Sequence, residues 1–204
     1  METDPALQLY RWMRLSRELE ERERKIVGRG EAQFLISAAG HEAMAGLAMH
    51  LQAQDWLHCH YRDRALMLAR GLTPENFLDQ LVANEASSSG GRQLCTMHSS
   101  RALNLLTMPV SVSNNLLPAV GVAAQVKNDA GAPVVYASIG EGSTQQGEFF
   151  EAVAEAVRRH LPVLFVIQDN RYALSTLTAG NTFYSLPHGE EPRLFGVELQ
   201  KLDG

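Results

Sequence analysis

The sequence is poor in cysteine, in surplus positive charge and in long apolar runs, and each shortage excludes a class of protein. Cys59 and Cys95 are the only cysteines among 204 residues, too few for a disulfide framework. Lys and Arg number 18 against 23 Asp and Glu, and the net charge of -5 argues against a nucleic-acid partner. No run is long enough to span a membrane. Because the cysteines are so few, a reducing interior compartment is the default expectation.

The N-terminus also lacks a targeting signal. Residues 1–5 have no apolar core region and are acidic rather than rich in arginine, so neither a secretory signal peptide nor a transit peptide is visible. The cytoplasm is therefore the predicted compartment. A processed protein of the mitochondrial matrix would look the same.

The composition, 45% hydrophobic and 20% charged, predicts one sizeable core, and we interpret residues 1–204 as a single domain. An N-terminal helix is predicted over residues 5–27, since Asp4 can act as N-cap and Pro5 stands at the first helical position. Residues 17–25 carry charges of both signs, which is typical of a solvated helix face.

Two further patterns predict helices and strands. Thr73 followed by Pro74 predicts the start of a short helix. Residues 132–139 and 162–167 are apolar, and residues 147–160 between them have helical periodicity, so we expect a strand–helix–strand unit. Strands that are apolar throughout are typical of a parallel sheet covered on both faces.

Polar residues follow both predicted strands, with Glu141 after the first and Asn170 after the second. The right-handed crossover rule brings these strand ends to one edge of the sheet, where open α/β sheets bind ligands. A carboxylate and an amide oxygen are ligands that Mg²⁺ accepts beside phosphate oxygens. Gly140 and Gly142 would allow a phosphate to approach the backbone amides of Gly142, Ser143 and Thr144 at a helix N-terminus. Gly-Glu-Gly alone is more typical of a plain turn, whereas the paired strand ends favour the site.

The segment Gly140-Glu141-Gly142, followed after 27 residues by Asn170, resembles the thiamine-diphosphate motif. More narrowly, the chain resembles the alpha subunit of the decarboxylating component of the 2-oxo acid dehydrogenases, especially the branched-chain type. Matching segments run in the family's order over roughly residues 5 to 204, among them Gly40-His41-Glu42-Ala43, Tyr61-Arg62-Asp63, Gly91-Arg92-Gln93, Met97-His98, Ala119-Val120-Gly121, Gln146-Gly147-Glu148-Phe149 and Leu161-Pro162-Val163. The resemblance implies the diphosphate-binding module of the thiamine-diphosphate-binding fold, an α/β three-layer sandwich with a mostly parallel sheet, incomplete at the C-terminus.

The resemblance implies that the chain binds thiamine diphosphate and Mg²⁺. Glu141, Asn170 and the backbone carbonyl of Tyr172 are the implied metal ligands. The family more often has Asp at the first of these positions, and Glu is also found there in its branched-chain members. The implied cofactor-binding residues around these ligands are Gly140, Gly142 and Ser143.

Other cofactor and active-site roles are implied for four residues. Tyr61 and Arg62 resemble the pair that holds the diphosphate, although Arg62 taken alone is more typical of a surface cation. Val112 matches the apolar residue that props the cofactor in its bent conformation, with a core valine as the equal alternative. His98 is the candidate catalytic or loop-ordering histidine, and an ordinary hydrogen-bonded histidine is its alternative.

Three places depart from the family's pattern. Asp169 replaces the first residue of a usual Asn-Asn pair, Pro109-Val110-Ser111 stands where Ser-Ser-Pro is common, and Asn115 replaces a common glutamine. These changes affect the expected substrate and cofactor contacts. The expected metal ligand Asn170 is retained.

Two other kinds of site can be weighed against this one. Cys95 and His98, with His58, Cys59 and His60, could form a tetrahedral zinc site. In a strand, however, Cys59 would face away from both histidines beside it, which argues against one shared ion. A dinucleotide-binding loop, Gly-x-Gly-x-x-Gly, would need a third glycine where this sequence has Gln145.

The implied activity is decarboxylation of a 2-oxo acid, with branched-chain 2-oxo acids favoured over pyruvate and the acyl group passing to a lipoyl-bearing acyltransferase. In this family a beta subunit, or a fused beta-like half, supplies the pyrimidine-binding module, and we expect an oligomer. An acetoin dehydrogenase-like subunit and a non-catalytic assembly remnant of the same fold are the alternatives. The final residues, Lys201-Leu202-Asp203-Gly204, resemble a family segment that precedes another helix. We therefore interpret the chain as truncated at this side and inactive by itself.

Overall fold

The computed structural model describes residues 4–189 and 193–203, and the chain forms two compact units. Unit 1 comprises Met1–Ala53 and Tyr61–Met108, and unit 2 comprises Gln54–His60 and Pro109–Gly204. Residues 1–3, 190–192 and 204 lie outside the described residues. Three predictions involve them, namely one domain over 1–204, the missing targeting signal and the truncated end.

Unit 1 is helical. Its long helix α1 spans Pro5–Gly28, as the capping residues predicted, and the backbone amide of Ala6 donates to Asp4 Oδ1 at 3.0 Å. The other helices are α2 (Ala45–Ala48), α3 (Arg64–Arg70) and α4 (Pro74–Leu81), with short 3-10 helices at Glu42–Met44, Tyr61–Asp63 and Arg101–Leu103.

The charged half of α1 is a solvated face only in part. Five of its charged residues are exposed, as the sequence suggested, whereas Glu20 and Glu23 are buried: the exposed ones are Glu18, Glu21, Arg22, Arg24 and Lys25. The Glu23 carboxylate lies 2.5 Å from the guanidinium of Arg64 in α3, and both side chains are almost wholly excluded from solvent. Glu20 accepts a hydrogen bond from the backbone amide of Ala38 at 2.8 Å. Buried charges persist only when paired and hydrogen-bonded, so these contacts fix how α1 packs within unit 1.

Unit 2 contains a parallel sheet, which confirms the predicted α/β class. Strands β1 (Trp56–His58), β2 (Val135–Gly140) and β3 (Val163–Gln168) lie in the order β1-β2-β3. Ala137 in the central strand faces His58 on one side and Phe165 on the other. Helices α5 (Leu116–Val126) and α6 (Gly147–Arg159) pack together, and they bury a core with β2 that includes Leu116, Ala119, Val120, Ala123, Ala137, Ile139, Phe149, Ala152 and Val153.

The sheet is covered unevenly. Every residue of β2 is buried, as expected for a strand covered on both faces. In β3 only Gln168 is buried, and Leu164 is 41% exposed, so the expectation of full cover fails for this strand. Among the described residues β3 pairs with β2 alone, which makes it a sheet edge in this part of the chain.

Two small antiparallel pairs follow the sheet: β4 (Tyr172–Ala173) with β5 (Thr176–Leu177), and β6 (Arg193–Leu194) with β7 (Val197–Glu198). None of the helices within 4–189 and 193–203 has both the length and the apolar character needed to cross a membrane.

Candidate metal and phosphate site

The ends of the two neighbouring strands coincide, as predicted. Gly140, the last residue of β2, pairs with Gln168, the last residue of β3. Glu141 therefore begins the turn after one strand and Asn170 lies in the turn after its neighbour, at the same edge of the sheet.

The turn after β2 is a 3-10 helix, Glu141–Gln145. The Thr144 hydroxyl donates to the backbone carbonyl of Glu141 at 2.6 Å, which closes the turn. The side chain of Glu141 points inward and is only 1% exposed, and its Oε1 accepts a hydrogen bond of 3.3 Å from the Thr178 hydroxyl. Glu141 forms no ion pair with any described residue. A buried carboxylate with one weak hydrogen bond is costly unless a cation accompanies it, so this group fits a metal ligand.

The turn after β3 is held by its own side chains. Asn170 Oδ1 accepts a hydrogen bond from the backbone amide of Tyr172 at 2.9 Å, and Asp169 Oδ1 accepts one from the amide of Arg171 at 2.8 Å. Arg171 and Leu174 adopt left-handed backbone angles, with φ of 67° and 55°. Asn170 and Tyr172 are exposed, which leaves the second lone pair of the amide oxygen open to another ligand.

The structure brings these two turns together. A Cβ atom added to Gly142 would lie 2.7 Å from the Cβ of Ala173 in β4, which is closer than two non-bonded carbon atoms can approach. Glycine at position 142 therefore allows the turns that carry Glu141 and Asn170 to touch. The predicted role of Gly142 was approach of a phosphate, and the contact with Ala173 is an additional reason for glycine there.

The segment before α5 is tied to the same turn. Ser113, buried and left-handed at φ 63°, donates its hydroxyl hydrogen bond to the backbone carbonyl of Ser143 at 2.7 Å. Its neighbour Val112 is 59% exposed and so is not a core valine. Asn115, one of the departures from the family's pattern, donates its side-chain amide to the carbonyls of His58 at 3.3 Å and Ser138 at 2.8 Å. Asn115 therefore joins the ends of β1 and β2.

Asp169, another departure from the family's pattern, also has a defined structural role. Its Oδ2 accepts a hydrogen bond of 2.8 Å from the hydroxyl of Tyr184. Burial raises the pKa of Tyr184 well above its ordinary value, and the hydrogen bond and negative charge of Asp169 raise it further. The phenol consequently stays protonated and acts as the donor.

Tyr61 and Arg62 lie in unit 1, in the 3-10 helix before α3. The Arg62 guanidinium carbon lies 5.1 Å from the centre of the Tyr61 ring. Nη1 of Arg62 is buried and has no hydrogen-bond partner among the described residues. A buried guanidinium nitrogen without an acceptor fits a group that binds an anion, and it argues against the alternative of an ordinary surface cation.

His98 also lies in unit 1 and is 2% exposed. Its ring centre is 4.4 Å from that of Phe77, and its backbone amide donates to the sulfur of Met108 at 3.4 Å. Burial, with a smaller contribution from the charge of Arg64, lowers the pKa of His98 to about 3. The imidazole is therefore neutral at physiological pH, and its catalytic role stays a prediction.

The zinc alternative finds no support in the part of the chain that the structure describes. No group of three or more His, Cys, Asp or Glu side chains there could hold a metal ion. Cys59 and Cys95 are both buried thiols, and Cys95 donates to the backbone carbonyl of Phe34 at 3.0 Å. The site predicted at Glu141 is of a different kind, with one carboxylate, one side-chain amide oxygen and one backbone carbonyl.

Sequence reasoning missed three residues that shape the site, namely Ser113, Thr178 and Tyr184. Their positions carry no motif and depend on how the loops fold. The one available signal was the departure at position 169, since a carboxylate in place of an amide requires a donor nearby.

Comparison with known proteins shows which family and which relatives this sequence is similar to. The family model described as "Dehydrogenase E1 component" matches residues 10–184. The chain is 32% identical over 173 residues to the 2-oxoisovalerate dehydrogenase subunit alpha of Bacillus subtilis (strain 168), covering 83% of this chain and 52% of that protein. It is 31% identical over 176 residues to the mitochondrial 2-oxoisovalerate dehydrogenase subunit alpha 2 of Arabidopsis thaliana, covering 86% and 37%. The pyruvate dehydrogenase E1 component subunit alpha of Zymomonas mobilis is 31% identical over 210 residues, with 98% and 57% covered. The chain thus spans about half the length, or less, of the curated relatives it matches.

Proposed function

This chain belongs to the dehydrogenase E1 component family, and from that membership we propose that it is the diphosphate-binding half of a thiamine-diphosphate-dependent 2-oxo acid dehydrogenase. The observation that best supports the proposal is the carboxylate of Glu141, which is buried, has no counter-charge among the described residues and lies beside the turn that carries Asn170. Branched-chain 2-oxo acids are the favoured substrates and pyruvate the second choice, because the relatives bear both kinds of name.

In this proposal Mg²⁺ is held by the carboxylate of Glu141, the side-chain oxygen of Asn170 and the backbone carbonyl of Tyr172. All three are hard oxygen ligands, and Mg²⁺ usually takes few protein ligands because it also binds phosphate oxygens and water. The cation would remove the desolvation penalty of the buried Glu141 carboxylate.

The diphosphate is assigned to the backbone amides around Gly140, Gly142 and Ser143, in the turn that carries Glu141. Tyr61 and Arg62 stay predicted diphosphate ligands, and the unpartnered Nη1 of Arg62 supports a role in anion binding. Val112 stays the predicted prop of the cofactor, and its exposure leaves it accessible to a ligand.

When bound, thiamine diphosphate supplies the nucleophilic carbon and the electron sink that decarboxylation of a 2-oxo acid requires. The residues of this chain bind and orient it. We assign the pyrimidine-binding module to a beta subunit or a fused beta-like half, and the acyl acceptor to a lipoyl-bearing acyltransferase. We also infer an oligomer in the cytoplasm, or in the mitochondrial matrix for a processed eukaryotic protein.

Calorimetric titration of the purified chain with thiamine diphosphate, with and without Mg²⁺, tests the proposal. We expect Mg²⁺-dependent binding that Glu141→Ala weakens by about tenfold or more, since removing one of three protein ligands should cost at least ~1.4 kcal/mol. Glu151→Ala, at an exposed position of α6 in the same unit, is the matched control and should bind as the wild type does. Unchanged binding by Glu141→Ala would show that the assigned ligand is wrong, and no binding by the wild type would refute the proposal.

A further inference from the structure

Asp169 uses its two carboxylate oxygens for two different donors. Oδ1 accepts the backbone amide of Arg171 and Oδ2 accepts the hydroxyl of Tyr184, both at 2.8 Å. A carboxylate can accept at both oxygens, whereas the side-chain amide of an asparagine has one acceptor oxygen and one donor nitrogen. The acidic residue at this position therefore matches its surroundings better than the family's usual asparagine would.

Tyr184 is itself firmly placed. It is 7% exposed, and its ring contacts that of Phe183 edge-to-face at 5.1 Å. Phe183 in turn lies 5.4 Å from the ring of Phe149 in α6. The donor to Asp169 is thus attached through two aromatic contacts to a helix of the core rather than to a free loop.

The turn that Asp169 begins needs such an anchor. Arg171 and Leu174 flank Tyr172 with left-handed backbone angles, which cost free energy for residues with a side chain and persist only where surrounding contacts impose them. The hydrogen bond from the Tyr172 amide to Asn170 Oδ1 belongs to the same turn and fixes the orientation of that oxygen.

We propose that Asp169 and Tyr184 are a positioning pair that sets the Asn170–Tyr172 turn for metal binding. This inference rests on the proposed function, because it takes Asn170 and Tyr172 as metal ligands. The same stretch of chain reaches the other ligand as well, since the Thr178 hydroxyl donates to Glu141. Residues 178–184 thereby hold both ligand-bearing turns in their places.

The first test needs no ligand. Tyr184→Phe removes only the hydroxyl and keeps the aromatic contacts, so the amides of Arg171 and Tyr172 should exchange hydrogen about three- to tenfold faster, the effect of losing one hydrogen bond. Tyr10→Phe, at an exposed position of α1, is the matched control and should exchange as the wild type does. If these two amides exchange at the wild-type rate in Tyr184→Phe, the proposal that Asp169 and Tyr184 position this turn is wrong.

The second test connects the pair to the metal. In titrations with thiamine diphosphate at a series of Mg²⁺ concentrations, Tyr184→Phe and Asp169→Ala should each raise the half-saturating Mg²⁺ concentration about three- to tenfold. Saturating Mg²⁺ should restore wild-type cofactor affinity to Tyr184→Phe. The half-saturating Mg²⁺ concentration of the double variant should be no higher than that of Asp169→Ala.

A merely structural role would lower the stability of Tyr184→Phe without moving its half-saturating Mg²⁺ concentration, and that result would overturn the positioning role. The two proposals fail in different ways. Wild-type chain that shows no Mg²⁺-dependent binding refutes the proposed function, and the metal role of the pair with it. Wild-type binding that Glu141→Ala abolishes and Tyr184→Phe leaves unchanged refutes the positioning pair alone.

Discussion

At the scale of single residues, the contact between Gly142 and Ala173 determines whether the turns that carry Glu141 and Asn170 can touch. Gly142→Ala would place two Cβ atoms 2.7 Å apart, and neither can rotate away because both are fixed to the backbone. We expect the free energy of unfolding to fall by about 1–3 kcal/mol, the usual cost of overpacking, and Mg²⁺-dependent cofactor binding to weaken.

Urea unfolding and calorimetry measure both effects. Gly121→Ala in α5 is the control, since no atom lies within 4 Å of its added Cβ. That substitution should stabilise the helix by roughly 0.5–1 kcal/mol. A Gly142→Ala variant as stable as the wild type would mean that the two turns are not in contact in solution.

His98 gives a residue-scale prediction for pH. Its pKa is lowered from 6.5 to about 3 by burial and by Arg64, so between these values the unfolded state binds the proton more readily than the folded state. The contribution of His98 to stability is therefore complete above pH 6.5 and is lost as the pH falls towards 3. The free energy of unfolding that His98 contributes should fall by up to about 1.4 kcal/mol for each pH unit in this range.

Urea unfolding at pH values between 6.5 and 5.5 tests this, because carboxylates of ordinary pKa remain almost fully ionised in that range. His98→Phe preserves a ring beside Phe77 and should remove the His98 contribution to the slope. Equal slopes for the wild type and the variant would contradict a buried neutral histidine.

At the scale of secondary-structure elements, the capping box of α4 is a local signal with a measurable effect. The Thr73 side chain accepts from the backbone amide of Asn76 at 3.4 Å, and the Asn76 side chain accepts from the amide of Thr73 at 2.9 Å. Thr73→Ala should cost about 1 kcal/mol of stability in thermal or urea unfolding. Thr73→Ser keeps the hydroxyl and should cost less, and an equal loss in both variants would rule out the cap as the cause.

Elements set by local patterns could be predicted from the sequence, whereas those that depend on distant partners could not. Asp4 and Thr73 correctly indicated the starts of α1 and α4. Two apolar runs located β2 and β3, and with them the neighbouring positions of Glu141 and Asn170. The burial of Glu23 depends on Arg64, far along the chain, so the charge pattern of residues 17–25 could not show that one side of this solvated stretch is buried.

The same limit applies to the candidate site. Glu141 and Asn170 follow strands and could be found by pattern, but Tyr184 reaches Asp169 only because Phe183 packs against Phe149. No periodicity indicates that packing. The exposure of β3 was also missed, because an apolar run looks the same at the centre of a sheet and at its edge.

At the scale of the whole molecule, the chain matches only part of its relatives' length, 52% of the Bacillus subtilis protein and 37% of the Arabidopsis thaliana protein. In the proposed function, residues of this chain bind and orient a cofactor, and a beta subunit supplies the module that activates it. We therefore expect no detectable release of CO₂ from branched-chain 2-oxo acids or pyruvate by the purified chain with thiamine diphosphate and Mg²⁺. Turnover without a partner would contradict this division of roles.

The position of β1 in the chain has a consequence for the order of folding. Asp55, just before β1, accepts a hydrogen bond from the backbone amide of Val134, 79 residues later, whereas β2 and β3 are joined by a short 3-10 helix and α6. Closing a long loop costs more entropy than closing a short one, so β2, α6 and β3 should assemble first. During synthesis on the ribosome β1 emerges long before β2 exists, and it must remain unpaired until the sheet edge that carries Glu141 has been made.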